Sequence, residues 1–156
     1  MAAKTNTYRV TIRAAQEIVF KYVSDLTRHP EWSGGRLRVE ARSPGPVTAG
    51  SQFESWGDLP QQKDRHNDLR VTLYQPPGLF TFIAKDPDFG EVEHAFTFES
   101  KAQGTEVVRT VTTSVPVLMA LLSRFFLHPL IGKPMMDKSM RRLKERLESA
   151  STRQES

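Results

Sequence analysis

The pattern of apolar and polar residues divides the chain into a strand, a helical segment, a series of strands and a closing helix. In residues 8–13 the apolar side chains of Tyr8, Val10 and Ile12 alternate with polar ones, which is the period of a half-buried strand. In residues 16–26 the apolar side chains recur at spacings of three and four, which places them on one helical face. This order predicts an α+β fold in which a curved antiparallel sheet holds a long C-terminal helix.

Six further strand patterns follow the helical segment and complete a predicted sheet of seven strands. They cover residues 37–43, 51–57, 66–75, 79–85, 91–99 and 105–115. The phase of 91–99 is the clearest, because a shift by one residue would bury two carboxylates. We therefore place Val92, His94, Phe96 and Phe98 on the inner face of the sheet.

The neighbouring strand patterns extend this inner face. Phe80 and Phe82 are our inner set for the preceding strand, and Leu69, Val71 and Leu73 form an apolar face in the strand before it. In the last strand Arg109 shares a face with two valines. A buried arginine there would need an acidic partner or a ligand, so we expect the side chain of Arg109 to be exposed.

The closing helix carries an apolar stripe that should lie along the concave face of the sheet. The stripe contains Met136, Met140, Leu143 and Leu147 at helical spacing. Methionines suit an irregular or adaptable surface, so both are candidate ligand contacts as well as packing residues. We expect residues 1–149 to form one domain and residues 150–156 a flexible tail.

Composition fits a single domain without metal or cofactor. The chain has 156 residues and no cysteine, which excludes a disulfide framework and thiolate metal sites. The N-terminus lacks the apolar core of a signal peptide, and we expect a cytoplasmic protein. The net charge is +4, but basic residues are spread along the chain and mixed with acidic ones, so we predict no nucleic-acid partner.

Residues 117–131 form the most apolar stretch of the chain. The stretch is too short, and too interrupted by Arg124, His128 and Pro129, to span a bilayer. A segment this apolar marks a contact, and three remain open: a lid over the open end of the sheet, a peripheral membrane contact, or the interface of a homodimer. Leu122 and Phe126 are our ligand contacts if the segment is a lid; monomer and homodimer are both open.

Three segments carry a resemblance to a known family: residues 10–32, residues 93–105 with the sequence EHAFTFE followed by a Gly-Thr turn, and residues 140–147. Together they resemble the SRPBCC superfamily, the START-like and Bet v 1-like group that includes polyketide cyclase/dehydrase and lipid-transport proteins. The resemblance covers about residues 7–149 and implies a helix-grip fold with a cavity between sheet and C-terminal helix. It also implies a bend at Trp32 near the mouth of that cavity. Members of the group range from ligand carriers to enzymes, so the resemblance leaves the activity open.

Catalytic motifs are absent from the sequence. There is no nucleophile elbow, no phosphate-binding loop and no dinucleotide fingerprint, and the four histidines lack metal-ligand spacing. His94 is the catalytic candidate, because an inward imidazole in a cavity can act as a general acid or base.

Binding of a hydrophobic or amphipathic small molecule, such as a lipid, a polyketide-like or an aromatic compound, is the favoured function. A polyketide cyclase/dehydrase-type enzyme and a membrane-peripheral or partner-binding module are the alternatives. The candidate ligand contacts share an expected place on the inner face, at the rim, in the apolar segment or on the closing helix. They are Trp32, Phe53, Trp56, Phe80, Phe82, His94, Phe96, Phe98, Leu122, Phe126, Met136 and Met140.

Overall fold

The computed structural model describes residues 2–59, 62–87, 90–116, 121 and 123–154. The strands are β1 (Ala2–Ile12), β2 (Leu37–Ala41), β3 (Gln52–Leu59), β4 (Gln62–Gln75), β5 (Leu79–Asp86), β6 (Gly90–Lys101) and β7 (Gly104–Val115). They form one antiparallel sheet in the order β1-β7-β6-β5-β4-β3-β2. The helices are α1 (Gln16–Ser24), a 3₁₀ helix (Leu26–Glu31), a π-helical segment (Ser123–Gly132) and α2 (Lys133–Gln154). The predicted α+β class and the seven-stranded curved sheet with a long C-terminal helix are confirmed.

Polar contacts fix α2 against the end of β1. The Lys144 ammonium donates to the Thr11 carbonyl at 2.6 Å, and the backbone N–H of Arg13 donates to the Glu148 carboxylate at 2.9 Å. The apolar stripe of α2 faces the sheet and is buried at Met140, Leu143 and Leu147. The helix therefore closes the inner face along the stripe that the sequence predicts.

The C-terminal helix is longer than the predicted domain boundary at residue 149. It continues to Gln154, so residues 150–154 are helical where we expected a tail. The Ser151 hydroxyl donates to the Leu147 carbonyl at 3.1 Å, a contact that a polar sequence can make within a helix.

A β-bulge in β4 corrects the predicted inner face of that strand. The pairing with β5 shifts between Val71 and Leu73, so that Val71 pairs with Phe82 and Tyr74 pairs with Phe80. Because a bulge adds one residue to a strand, it reverses the facing of every residue after it. Leu73 is accordingly 42% exposed on the outer face, and the Tyr74 side chain takes its place inside.

Candidate functional site

Aromatic side chains cover the inner face of the sheet at β5 and β6. In the strand register Phe80 pairs with Phe96, and Phe82 pairs with His94. Phe98 follows on β6, so the structure confirms the predicted phase of this strand. All four phenylalanines are buried, and the rings of Phe80 and Phe96 are fully so. The inner face is therefore an apolar wall built by two neighbouring strands.

Arg109 lies in the middle of this apolar wall, opposite Phe96 in the β6–β7 register. The expectation that it is exposed is wrong, because the register turns its side chain inward, and it is only 7% exposed. Its Nη2 donates to Nδ1 of His94 at 3.1 Å. Its Cζ lies 5.2 Å from the Phe96 ring centre and 5.7 Å from that of Trp32, distances at which a cation interacts with aromatic rings.

The guanidinium of Arg109 keeps its charge although it has no ion-pair partner in the described chain. Burial lowers the pKa of Arg109 to about 10, and the nearby Tyr8 opposes this shift. A group with that pKa is still protonated at neutral pH. The described interior of the sheet therefore carries a positive charge that no described carboxylate compensates.

His94 is neutral beside this charge. Burial lowers the pKa of His94 well below its usual value, and the positive charge of Arg109 and the proximity of His29 lower it further. Since its Nδ1 accepts a hydrogen bond from Arg109, the ring proton is assigned to Nε2. The ring stacks on Phe82 with centres 4.7 Å apart, and the residue remains partly exposed, so His94 lies at the edge of the apolar wall.

Trp32 closes the wall from the side of the 3₁₀ helix. It is 1% exposed, and its ring lies 4.5 Å from that of His29 and 6.3 Å from that of Phe96. His29 is a buried residue that the sequence did not single out: its Nε2–H donates to the Val23 carbonyl at 2.7 Å. Burial lowers the pKa of His29 to about 3, against the opposing hydrogen bond to Val23 and with a further lowering by Arg109.

The structure brings half of the candidate contacts together in one cluster of rings, of which Trp32, His94 and Phe96 contact Arg109. The cluster contains Trp32, Phe80, Phe82, His94, Phe96 and Phe98. Met140 is buried and Met136 partly buried where α2 packs on the core. Phe53 is buried farther along the sheet, where with Tyr74 it borders a groove of about 400 Å³ next to α1.

Trp56 does not belong to this group. It lies on the outer face of β3, where its ring packs under the Arg38 guanidinium at 4.1 Å and beside His66. Inner residues of β3 alternate with outer ones, and Phe53 and Ser55 hold the inner positions. Phe53 and Trp56 are three residues apart on one strand and lie on opposite faces of the sheet, so they cannot both line the same site.

The apolar segment is described only in part. Leu122 lies outside the described residues, and the side chain of Phe126 is not among those described. Phe125 is 64% exposed and Leu130 73%. The Tyr8 hydroxyl and Nε2 of His128 are 2.8 Å apart, which joins the π-helical segment to β1.

One group of described side chains has the spacing of metal ligands, and it lies on the outer face. Glu54, His66 and Asp68 offer ligand atoms within 4.8 Å of one another. The Arg42 guanidinium already contacts the Glu54 carboxylate and lies 3.3 Å from that of Asp68. A cation would have to displace this arginine, so the group is best described as an ion-pair network.

Comparison of the sequence with protein families identifies the chain. Residues 4–148 match the family described as polyketide cyclase / dehydrase and lipid transport. The chain belongs to this family. The match covers nearly the whole length, which confirms the resemblance to the SRPBCC superfamily. The sequence has no significant match among curated proteins.

Solved structures show the same fold at low sequence identity. A protein of Thermus thermophilus is 20% identical with a TM-score of 0.72, over 95% of this chain and 99% of that one. The di-domain ARO/CYC StfQ from the steffimycin biosynthetic pathway is 13% identical with a TM-score of 0.72, over 96% of this chain and 52% of that one. Ara h 8.0201 is 11% identical with a TM-score of 0.67, over 95% and 99%. In the described part of this family member, no helix is both long and apolar enough to cross a membrane.

Proposed function

We propose that this family member binds a hydrophobic or amphipathic small molecule between the inner face of the sheet and α2. The observation that carries the proposal is Arg109, a charged side chain buried in an aromatic wall without an acidic partner among the described residues. A buried charge without a partner destabilises a protein, so such a group is retained where a bound molecule supplies the missing partner. The family and the fold are consistent with this use of the inner face.

The surroundings of Arg109 suit an amphipathic molecule. Phenylalanines on β5 and β6 offer apolar surface on one side, and Met136 and Met140 of α2 offer adaptable surface on the other. The polar groups are few and lie together, as is usual in small-molecule sites.

The first test is binding of a neutral hydrophobic probe, 1-aminoanthracene, to protein stripped of any retained molecule by denaturation and refolding. We expect saturable binding with an increase in probe fluorescence, and native mass spectrometry of gently purified protein should show a retained mass. Absence of both would contradict the proposal.

A matched pair of variants locates the probe. Val111 is the register partner of His94 on the inner face, and the adjacent Thr112 faces outward. Val111→Trp should fill the space beside His94 and abolish probe binding, while Thr112→Trp should leave binding unchanged. Equal effects of the two variants would place the probe elsewhere.

A second candidate function, a cyclase-type enzyme, is favoured by the contact between His94 and Arg109. Arg109 can stabilise the oxygen of an enolate that forms next to it. Neutral His94 can pass its Nε2 proton to the enolate when its Nδ1 takes a proton from Nη2 of Arg109 in the same step, so that the ring stays neutral. An amide cannot release a proton at neutral pH, so His94→Gln should lower turnover of a poly-β-keto substrate by about a hundredfold or more while leaving its binding nearly unchanged. Unchanged turnover, or no turnover by the parent protein, would remove this candidate.

A third candidate, a membrane-peripheral module, is favoured by the exposed side chains of Phe125 and Leu130. Sedimentation with liposomes of phosphatidylcholine and phosphatidylserine separates it from the other two. Cosedimentation that Phe125→Ser and Leu130→Ser abolish would support a membrane contact. Dimers in analytical ultracentrifugation that the same substitutions dissociate would instead identify a homodimer interface.

A further inference from the structure

Two buried N–H groups near the centre of the inner face lack hydrogen-bond partners among the described residues. They are Nε of Arg109 and Nε1 of Trp32. Buried donors are nearly always paired in folded proteins, and an unpaired one is costly. The guanidinium carbon lies 5.7 Å from the Trp32 ring centre, so both donors belong to one small region.

Apart from Nδ1 of His94, which accepts from Nη2 of Arg109, the side-chain groups of this cluster are hydrogen-bond donors. Arg109 carries only N–H groups, the indole of Trp32 has a single N–H, and the assigned tautomer of His94 presents Nε2–H. Both His94 and the adjacent His29 are neutral, so the net charge of the cluster is that of the guanidinium. The complementary group accepts hydrogen bonds, donates none and is negative, which describes a carboxylate.

The described carboxylates of the protein are engaged or placed elsewhere. Glu93 and Glu99 alternate with the inner residues of β6 and are exposed on its outer face. Asp137, on the neighbouring helix α2, pairs with Lys133 at 2.6 Å. No described carboxylate of the protein therefore pairs with these two donors.

The π-helical segment is joined to the neighbouring strand β1 by a side-chain hydrogen bond. Tyr8 is the register partner of Arg109, and its hydroxyl contacts His128 of that segment. His94 remains partly exposed at the other side of Arg109. A molecule entering past His94 would meet the guanidinium first, and its apolar part would have to separate the phenylalanine rings, which are packed together in this structure.

We infer that the molecule bound by this protein is an amphipathic carboxylic acid whose carboxylate lies against Nε of Arg109 and Nε1 of Trp32. This inference rests on the proposed binding function and adds the chemical class of the ligand. The neutral acceptor groups that could take the same place, an amide or a ketone oxygen, would gain less from the guanidinium because charge-assisted hydrogen bonds are the stronger ones.

The test compares acids with their neutral amides of the same shape. Naphthalene-2-carboxylate and naphthalene-2-carboxamide form one pair, and decanoate and decanamide a second. Isothermal titration calorimetry on stripped protein should show the carboxylate of at least one pair binding about 10- to 100-fold more tightly than its amide. Arg109→Gln should remove this preference and leave the affinity for the amide within about threefold, since the apolar contacts remain.

Two further variants separate the contribution of the Trp32 N–H to the acid preference from that of the overall positive charge of the protein. Trp32→Phe keeps a ring but removes the N–H, and should reduce the preference for the acid by about threefold to tenfold. Arg9→Gln changes an arginine that is 63% exposed and paired with Glu106, and should leave the preference unchanged.

The outcomes distinguish the two proposals. Equal affinity for acid and amide in both pairs, or a preference that survives Arg109→Gln, would overturn the carboxylate assignment while leaving hydrophobic binding intact. Binding of 1-aminoanthracene without binding of either acid would also overturn it. Failure of the probe and of all four compounds to bind would overturn the binding function itself. Heteronuclear NMR adds an independent readout: the acid, but not the amide, should raise the pKa of His94 by neutralising Arg109.

Discussion

Replacing Arg109 with methionine should stabilise the ligand-free protein. Burial lowers the pKa of Arg109 from its usual 12.5 to about 10, so at neutral pH the charged group opposes folding by about 3 kcal/mol. The substitution also removes the hydrogen bond to His94, worth about 1 kcal/mol, and the contacts with Trp32 and Phe96, worth about 1 kcal/mol. The balance is a gain of about 1 kcal/mol in the free energy of unfolding.

The gain should be visible by urea denaturation and by calorimetry of stripped protein. For a domain of this size about 1 kcal/mol raises Tm by roughly 2 to 4 °C. The acid of the better-bound pair should stabilise the parent protein more than the Arg109→Met variant, which keeps only the apolar contacts, because stabilisation by a ligand grows with its affinity for the folded state. The parent and variant curves should therefore cross as the acid is added.

Arg65→Met is the matched control, since the Arg65 side chain is only 9% exposed but pairs with Asp86 through Nε at 2.7 Å. Removing one partner of a buried ion pair leaves the other charge uncompensated, and we expect a loss of about 3 to 5 kcal/mol. The two substitutions thus have opposite signs. A decrease of more than about 1 kcal/mol in the free energy of unfolding of Arg109→Met would refute the reasoning. It would show that Arg109 stabilises the fold of the ligand-free protein.

Three other substitutions test the environment of the wall. Phe96→Ala should lower the free energy of unfolding by about 3 to 5 kcal/mol in urea denaturation, since Phe96 is fully buried among rings; a loss below about 1 kcal/mol would mean that it borders open space. The pKa of His29 is about 3 when folded and 6.5 when free, so the unfolded chain takes up the proton first and stability should fall as pH decreases from 6.5 towards 3. His29→Gln should reduce the slope of the free energy of unfolding against pH by about 1.4 kcal/mol per pH unit in this range. An unchanged slope would assign the acid sensitivity to other groups. Phe125→Ser should change the free energy of unfolding by no more than about 0.5 kcal/mol because the ring is exposed; a larger loss of Tm would show that this part of the π-helical segment belongs to the core.

Local sequence patterns were sufficient to predict which residues face the interior wherever the other face of an element had to be polar. The carboxylates of Glu93 and Glu99 fixed the phase of β6, and this placed His94, Phe96 and Phe98 on the inner face without any knowledge of neighbouring strands. The stripe of α2 was equally clear, because its spacing repeats with the helical turn. The order of elements and the family resemblance then predicted the sheet and its closing helix.

Contacts between residues distant in the sequence determined the facing or burial of the remaining site residues. Leu73 and Tyr74 exchanged faces because β4 contains a bulge, which depends on its pairing with β5. Trp56 looked like a ligand contact by residue type, although the strand period already placed it opposite Phe53. His29 gave no sign of burial, since its partner is a backbone carbonyl in α1.

Arg109 shows most clearly the difference between what the sequence predicts and what only the tertiary structure determines. The sequence establishes a charge on a strand and a face shared with two valines, and from this we expected an exposed side chain, which is wrong. Only the register of β7 between β1 and β6, together with the 3₁₀ helix that brings in Trp32, determined that the guanidinium is buried with no described carboxylate beside it. The reason is physical: side-chain alternation is a local property of the backbone, whereas desolvation of a charge depends on every element that packs around it.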